Sequence, residues 1–230
     1  MTEGVLESVA RELAPHGLVA RGGFAPRPED GVPLLPDGAP VGTLVLVGDV
    51  GGRMWPAFAA ASPSLPAVDP LDHWTRRVLD AVAERLDARA LYPFGGPPYL
   101  PFQRWARRAE PVAPSPIGVL IHPVWGLWHA YRGAFAFAAR HPLPPPEPTP
   151  SPCDTCADRP CLSTCPVGAF SATGYAVDAC VAHVASTAGQ ECRSSGCLAR
   201  RACPVGRAYA YGPDQQAFHM AAFLAARRGR

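Results

Sequence analysis

Eight cysteines fall in the last third of this 230-residue chain, and none precedes them. They read Cys153-x2-Cys156-x4-Cys161-x3-Cys165-Pro166, then a solitary Cys180, then Cys192-x4-Cys197-x5-Cys203-Pro204. The tetrapeptide Cys-Pro-Val-Gly closes both runs, at 165–168 and at 203–206, with an aromatic soon after each, Phe170 and Tyr209. Thiolates are soft ligands that select zinc or iron–sulfur clusters. Two structural zinc sites would also use eight cysteines. The compact first run, the Cys-Pro ends and the duplication point instead to paired [4Fe–4S] clusters, in which the cysteine before proline crosses to the other cluster. That scheme assigns Cys153, Cys156, Cys161 and Cys203 to one cluster. It leaves Cys165, Cys180, Cys192 and Cys197 for the other, so Cys180 must be a ligand if both are complete.

The rest of the chain bounds the setting. Its formal charge of +2 is too small to indicate a nucleic-acid or membrane partner. All 21 basic residues are arginine, which reads as compositional bias. The N-terminus shows neither a secretory pattern nor twin arginines, and no window approaches the ~20 apolar residues of a membrane helix. A cytoplasmic location is expected. There thiols stay reduced, so clustered cysteines mean metal more often than disulfides.

The segment 141–152, HPLPPPEPTPSP, holds seven prolines and reads as a stiff extended linker. It separates an expected α+β domain, 1–140, from a cysteine-rich domain, 153–212, followed by a C-terminal helix, 213–230. In the first part, a helix is predicted over 2–14, with Thr2 as its cap and Leu6, Val9 and Leu13 on one face. Strands are predicted at 42–48, 117–122 and 133–139, and a short helix at 53–61. Asp69-Pro70 opens the clearest helix, with Asp69 capping and Leu71, Trp74, Val78, Val82 and Leu86 at helical spacing. The stretch PVWGLWHAYR, 123–132, is expected as a loop. In the tail helix Phe218, Ala222 and Phe223 would face inward, and Arg227 and Arg228 would complement the dipole. GDVGG at 48–52 lacks the G-x-G-x-x-G frame, so no NAD(P)H site is expected. An external reductase, ferredoxin or flavodoxin would then supply electrons.

Two resemblances add to this reading. The order of the eight cysteines over 153–206, with the solitary one in VDACVAHVAS, resembles the ferredoxin module of epoxyqueuosine reductases. IHPVWGLWHAYRGAFAF (121–137) and VDPLDHWTRRVLDAVAERL (68–86) resemble two blocks of the CblC-type cobalamin-processing proteins. Both resemblances imply a nitroreductase-like α+β sheet domain that binds a base-off corrinoid, followed by a small two-cluster module. A broad macrocycle needs flat apolar surfaces and a few fixed polar groups. Trp125, Trp128 and Tyr131 would supply the surfaces. Arg132 would bond rim amides or the nucleotide phosphate, and His122 would touch the macrocycle or anchor the loop. For each residue, core and corner packing stays open as the alternative.

The implied function is iron–sulfur redox chemistry, with electrons passing from the clusters to a bound cobalamin. Two rivals remain: a ferredoxin-type carrier whose first domain docks a partner, and an FMN-dependent reductase on the same fold. The catalytic acid of the epoxyqueuosine reductases cannot be placed here, nor can that family's C-terminal helical repeats. The glutathione-holding basic residues of CblC-type proteins have no secure counterpart either.

Overall fold

A computed structural model describes residues 4–171 and 174–228 of the chain. Helix α1 (Val5–Leu13) buries Val5, Val9 and Leu13. The Glu7 carboxylate accepts the Gly4 N–H at its start, while Thr2, the expected cap, lies outside the described residues. Strand β1 (Val19–Phe24) pairs antiparallel with β2 (Thr43–Val50). All eight residues of β2 are buried, which explains why its apolar run is legible as a strand. Then come α2 (Trp55–Ala61), α3 (Pro70–Arg85), the three-residue strand β3 (Arg89–Leu91) and α4 (Phe102–Ala109).

Helix α3 buries Leu71, Trp74, Val78 and Val82 as the spacing predicts. Asp69 does not cap it through its side chain; the residue sits at φ +47° and makes no capping hydrogen bond. Pro70, with φ pre-set and no N–H to satisfy, therefore starts the helix.

At residue 112 the chain leaves this unit. It makes a small hairpin, β4 (Ala113–Pro114) with β5 (Leu120–Ile121), and a loop closed by a bridge between His122 and Gly126. It returns as β6 (His129–Phe137), which lies between β2 and β3. The four-stranded sheet thus runs β1-β2-β6-β3, all antiparallel. Two strand expectations are corrected here. Of 117–122 only two residues are strand, because Ser115–Gly118 forms a turn. And β6 begins four residues before 133, placing Tyr131 and Arg132 on a strand rather than in a loop. Gly133 is needed where α3 and β3 close over β6. A Cβ there would lie 2.5 Å from Leu79 Cδ1 and 3.0 Å from the Leu91 carbonyl oxygen.

The second unit carries α5 (Pro160–Ser163), the hairpin β7 (Phe170–Ser171) and β8 (Gly174–Tyr175), then α6 (Val177–Ala185), α7 (Gln190–Ser195), α8 (Leu198–Arg201) and α9 (Pro213–Arg228). The chain divides into 1–111 with 129–148, and 112–128 with 149–230. This differs from a boundary drawn at the proline run alone. Ile117, Ile121 and Leu127 share an apolar core with Ala199 and Cys203, so 112–128 packs within the cysteine-rich unit. In α9, Leu224 and Gln215 are buried and Ala222 is exposed. The inward face is therefore not the one set by Phe218, Ala222 and Phe223. No helix among the described residues is long and apolar enough to cross a membrane.

Candidate functional site

The cysteine-rich unit folds around two apolar cavities. Cys153, Cys156, Cys161 and Cys203 line the first, with Ile121 and Pro160; its volume is about 20 Å³. Cys165, Cys180, Cys192 and Cys197 line the second, with His183 and Met220; its volume is about 20 Å³. All eight cysteines are free. The fold therefore sorts them four and four, and each Cys-Pro cysteine joins the quartet of the other run.

Local structure explains the sorting. Cys161 sits in α5, one turn long, and Cys165 follows it at the Cys-Pro-Val-Gly turn. Cys180 lies in α6 and Cys192 in α7, so the solitary cysteine reaches its quartet from a helix. Backbone N–H groups point at the sulfurs. Ala169 N–H donates to Cys165 Sγ at 3.3 Å. Val205 donates to Cys203, Ala199 and Arg200 to Cys197, and Leu198 to Cys192. Such donors favour negative charge on sulfur. Burial works the other way and pushes the thiols of Cys153, Cys161, Cys192, Cys197 and Cys203 up, with neighbouring cysteines adding to the shift. Thiols raised in this way are poor free nucleophiles. Among the described residues, no group of three or more His, Cys, Asp or Glu is arranged to hold a single metal ion.

Two features here were not read from the sequence. Gly126 and Gly206 face each other, at φ +58° and +70°. A Cβ on Gly126 would lie 2.0 Å from the Val205 carbonyl oxygen, and one on Gly206 would lie 2.3 Å from the Trp125 backbone. The loop 122–128 is thereby pressed onto the second Cys-Pro turn. Gly168, its counterpart in the first turn, has open space around it, so the repeated tetrapeptide alone does not reveal the contact. The second is the face by which the expected tail helix docks: Met220 and Leu224 of α9 pack with Val184 and Cys192.

The five residues read as a cofactor surface do not act as one group. His122, Trp125 and Trp128 belong to the cysteine-rich unit; Tyr131 and Arg132 belong to the sheet unit. His122 is buried, accepts the Val124 and Trp125 N–H groups at Nδ1, and stacks on Trp125 at 3.8 Å between ring centroids. That geometry anchors the loop. Trp128 is 2% exposed. Arg200 stacks on it at 4.6 Å and donates to the Leu127 carbonyl, and Tyr211 meets it edge-on. Trp125 is half-buried.

In the sheet unit, Arg132 donates to Asp72, Thr75 and the Leu71 carbonyl, tying β6 to α3. Tyr131 O–H donates to Glu110, which also pairs with the fully buried Arg21 at 2.7 Å. His129 Nδ1 lies 3.2 Å from the same guanidinium. Burial pushes the Glu110 carboxyl up, Arg21 and Tyr131 opposing it, and pushes the Tyr131 phenol up as well.

No protein-family profile matches the chain, and no curated protein matches its sequence. Solved structures do match it. The B12-trafficking protein CblC of C. elegans superposes with a TM-score of 0.53 at 13% identity, covering 94% of this chain and 93% of that one. An epoxyqueuosine reductase bound to a modified tRNA-Tyr stem loop gives 0.52 at 16% identity, covering 91% and 68%. The epoxyqueuosine reductase of Bacillus subtilis gives 0.51 at 16%, with the same coverage. The mixed fold, a small sheet with many helices, is thus similar to both kinds of protein. Both likenesses noted in the sequence hold at the level of fold.

Proposed function

We propose that this chain is an iron–sulfur redox protein that delivers electrons to a bound corrinoid. In this reading the cysteine-rich unit is a ferredoxin-like module and the sheet unit is nitroreductase-like. The observation that carries it is the division of eight free cysteines into two quartets, each around its own apolar cavity. Two zinc ions, each held by four thiolates at ~2.3 Å, are the rival use of the same cysteines. The duplicated Cys-Pro runs, and the grouping of each Cys-Pro cysteine with the other run, favour two polynuclear clusters. The apolar walls, including Ile121, Val184 and Met220, keep water from the sulfurs, and the backbone N–H groups favour their charge. Bound clusters would supply one-electron transfer.

The corrinoid half rests on the likeness in fold to CblC, a B12-trafficking protein by name. Trp125, half-buried and stacked on His122, is the more exposed of the two tryptophans in the 122–128 loop. Trp128 and Arg132 are engaged within the protein, an observation that favours the rival reading of a ferredoxin-type carrier. The cobalt would carry the difficult chemistry, either loss of an upper ligand or its own reduction for another enzyme. An external reductase, ferredoxin or flavodoxin would donate the electrons.

Anaerobic reconstitution followed by cobalamin titration tests both halves. About eight iron and eight sulfide per chain are expected, four of each per cluster. Two zincs and no iron would end the cluster reading. A shift of cobalamin absorption to shorter wavelength, as the lower ligand leaves, is expected on binding. No spectral change with cobalamin, but one with FMN, would favour a flavin reductase; none with either would favour the carrier.

A further inference from the structure

Several arginines of the sheet unit are matched by a carboxylate: Arg21 by Glu110, Arg85 by Glu12, Arg108 by Asp30, Arg132 by Asp72. Arg76 and Arg89 are not. The Arg76 guanidinium lies 4.5 Å from the centroid of Tyr92 and 5.1 Å from that of Phe94, and among the described residues it makes no ion pair. Arg89 donates to the Leu34 carbonyl at 2.5 Å and, among the described residues, pairs with no carboxylate either. Both line one open cavity of about 320 Å³, and no Asp or Glu lines it with them. That volume lies at the lower end of small-molecule sites, roughly 300–1,000 Å³.

The walls of this cavity are mixed. Leu91, Tyr92, Pro33 and Leu100 supply apolar surface. Residues 89–91 form β3, which among the described residues pairs only with β6 and is an edge strand of the sheet beside the cavity. Tyr92 is itself fixed, donating its O–H to Asp80 at 2.5 Å. The aromatic pair under Arg76 therefore holds a guanidinium in place without using its N–H donors. Guanidinium groups match phosphate oxygens in charge and in fork geometry.

We propose that this cavity binds a phosphorylated small molecule with an apolar or aromatic body, the class to which nucleoside diphosphates belong. Arg76 and Arg89 take the phosphates, and Leu91, Tyr92 and Leu100 take the body. The site lies wholly in the sheet unit and does not depend on the clusters or on a corrinoid.

Calorimetric titration of the full chain with ADP, pyrophosphate and adenosine tests it. ADP should bind more tightly than pyrophosphate, and adenosine most weakly. Arg76→Gln and Arg89→Gln should each weaken ADP at least about tenfold. Arg89 is exposed on an edge strand, so its variant keeps the test valid if loss of the Arg76 stack disturbs folding, which circular dichroism would report. No ADP binding, equal binding of ADP and pyrophosphate, or ADP binding unchanged in Arg89→Gln would overturn the proposal.

Discussion

Cys180 is the residue on which the ligand scheme turns. It lies in α6, away from both compact runs, yet its side chain lines the second cavity with Cys165, Cys192 and Cys197. If that quartet holds a cluster, Cys180→Ala should lower iron from about eight to about four per chain. The electron paramagnetic resonance signal of the other cluster should persist. Unchanged iron and both signals intact would make Cys180 an ordinary packing residue. The two loop tryptophans separate in the same way. Trp128 is buried against Arg200 and Tyr211. Trp128→Ala should therefore destabilise the protein by about 3–5 kcal/mol, the usual cost of a large-to-small change in a core. Trp125 stacks on His122 at the loop surface. Trp125→Ala should leave thermal unfolding closer to wild type and weaken cobalamin about tenfold or more, if its ring meets the ligand. Equal melting curves for the two variants would contradict this assignment of roles.

At the scale of elements, legibility followed burial pattern. Strand β2 and helix α3 were readable because an apolar run and a helical repeat persist over many residues. Strand β1, VARGGF, was not, because Arg21 looks like a surface charge until Glu110 is brought beside it from 89 residues away. Helix α4 has Phe102, Trp105, Ala106 and Ala109 at helical spacing, but the signal is short and broken by arginines. In the site, the quartets were legible from cysteine order, whereas the Gly126–Gly206 contact depends on tertiary approach and left no pattern. The tie between α4 and the turn at residues 28–30 is equally tertiary. The Trp105 indole N–H donates to the Asp30 carbonyl at 2.8 Å, and Arg108 pairs with the Asp30 carboxylate. Burial alone would raise the Asp30 carboxyl, but Arg108 and the Arg27 N–H outweigh it and hold it below its ordinary value. A depressed carboxyl adds stability that is complete above the ordinary carboxylate range and disappears as pH falls through the folded value. Asp30→Asn should therefore cost about 1–3 kcal/mol at neutral pH, typical of hydrogen bonds to charged groups. The gap from wild type should narrow as the solution is acidified below about pH 4. A gap constant down to pH 2 would show that the charge of Asp30 contributes nothing to this tie.

At the scale of the whole chain, if the two quartets hold clusters, the two units should respond differently to their loss. The sheet unit contains no cysteine, and its core runs through β2, β6, α3 and α4 without reference to either cavity. The cysteine-rich unit is built from short elements, several of four residues or fewer, arranged around the two quartets. A small unit of that kind cannot bury enough apolar surface to order itself and depends on metal for much of its stability. Residues 112–128 precede the proline run, yet Ile117, Ile121 and Leu127 pack on Ala199 and Cys203. Their stability should therefore follow the clusters rather than the sheet. Hydrogen exchange on the full chain, reconstituted and then stripped with chelator under reducing conditions, measures this directly. Stripping should remove protection from 113–128 together with 153–228, while β2 and β6 keep theirs. Protection that survives in 113–128 when 153–228 has lost it would place that segment with the sheet. Unchanged protection everywhere would show that the cysteine-rich unit is held by its apolar contacts alone.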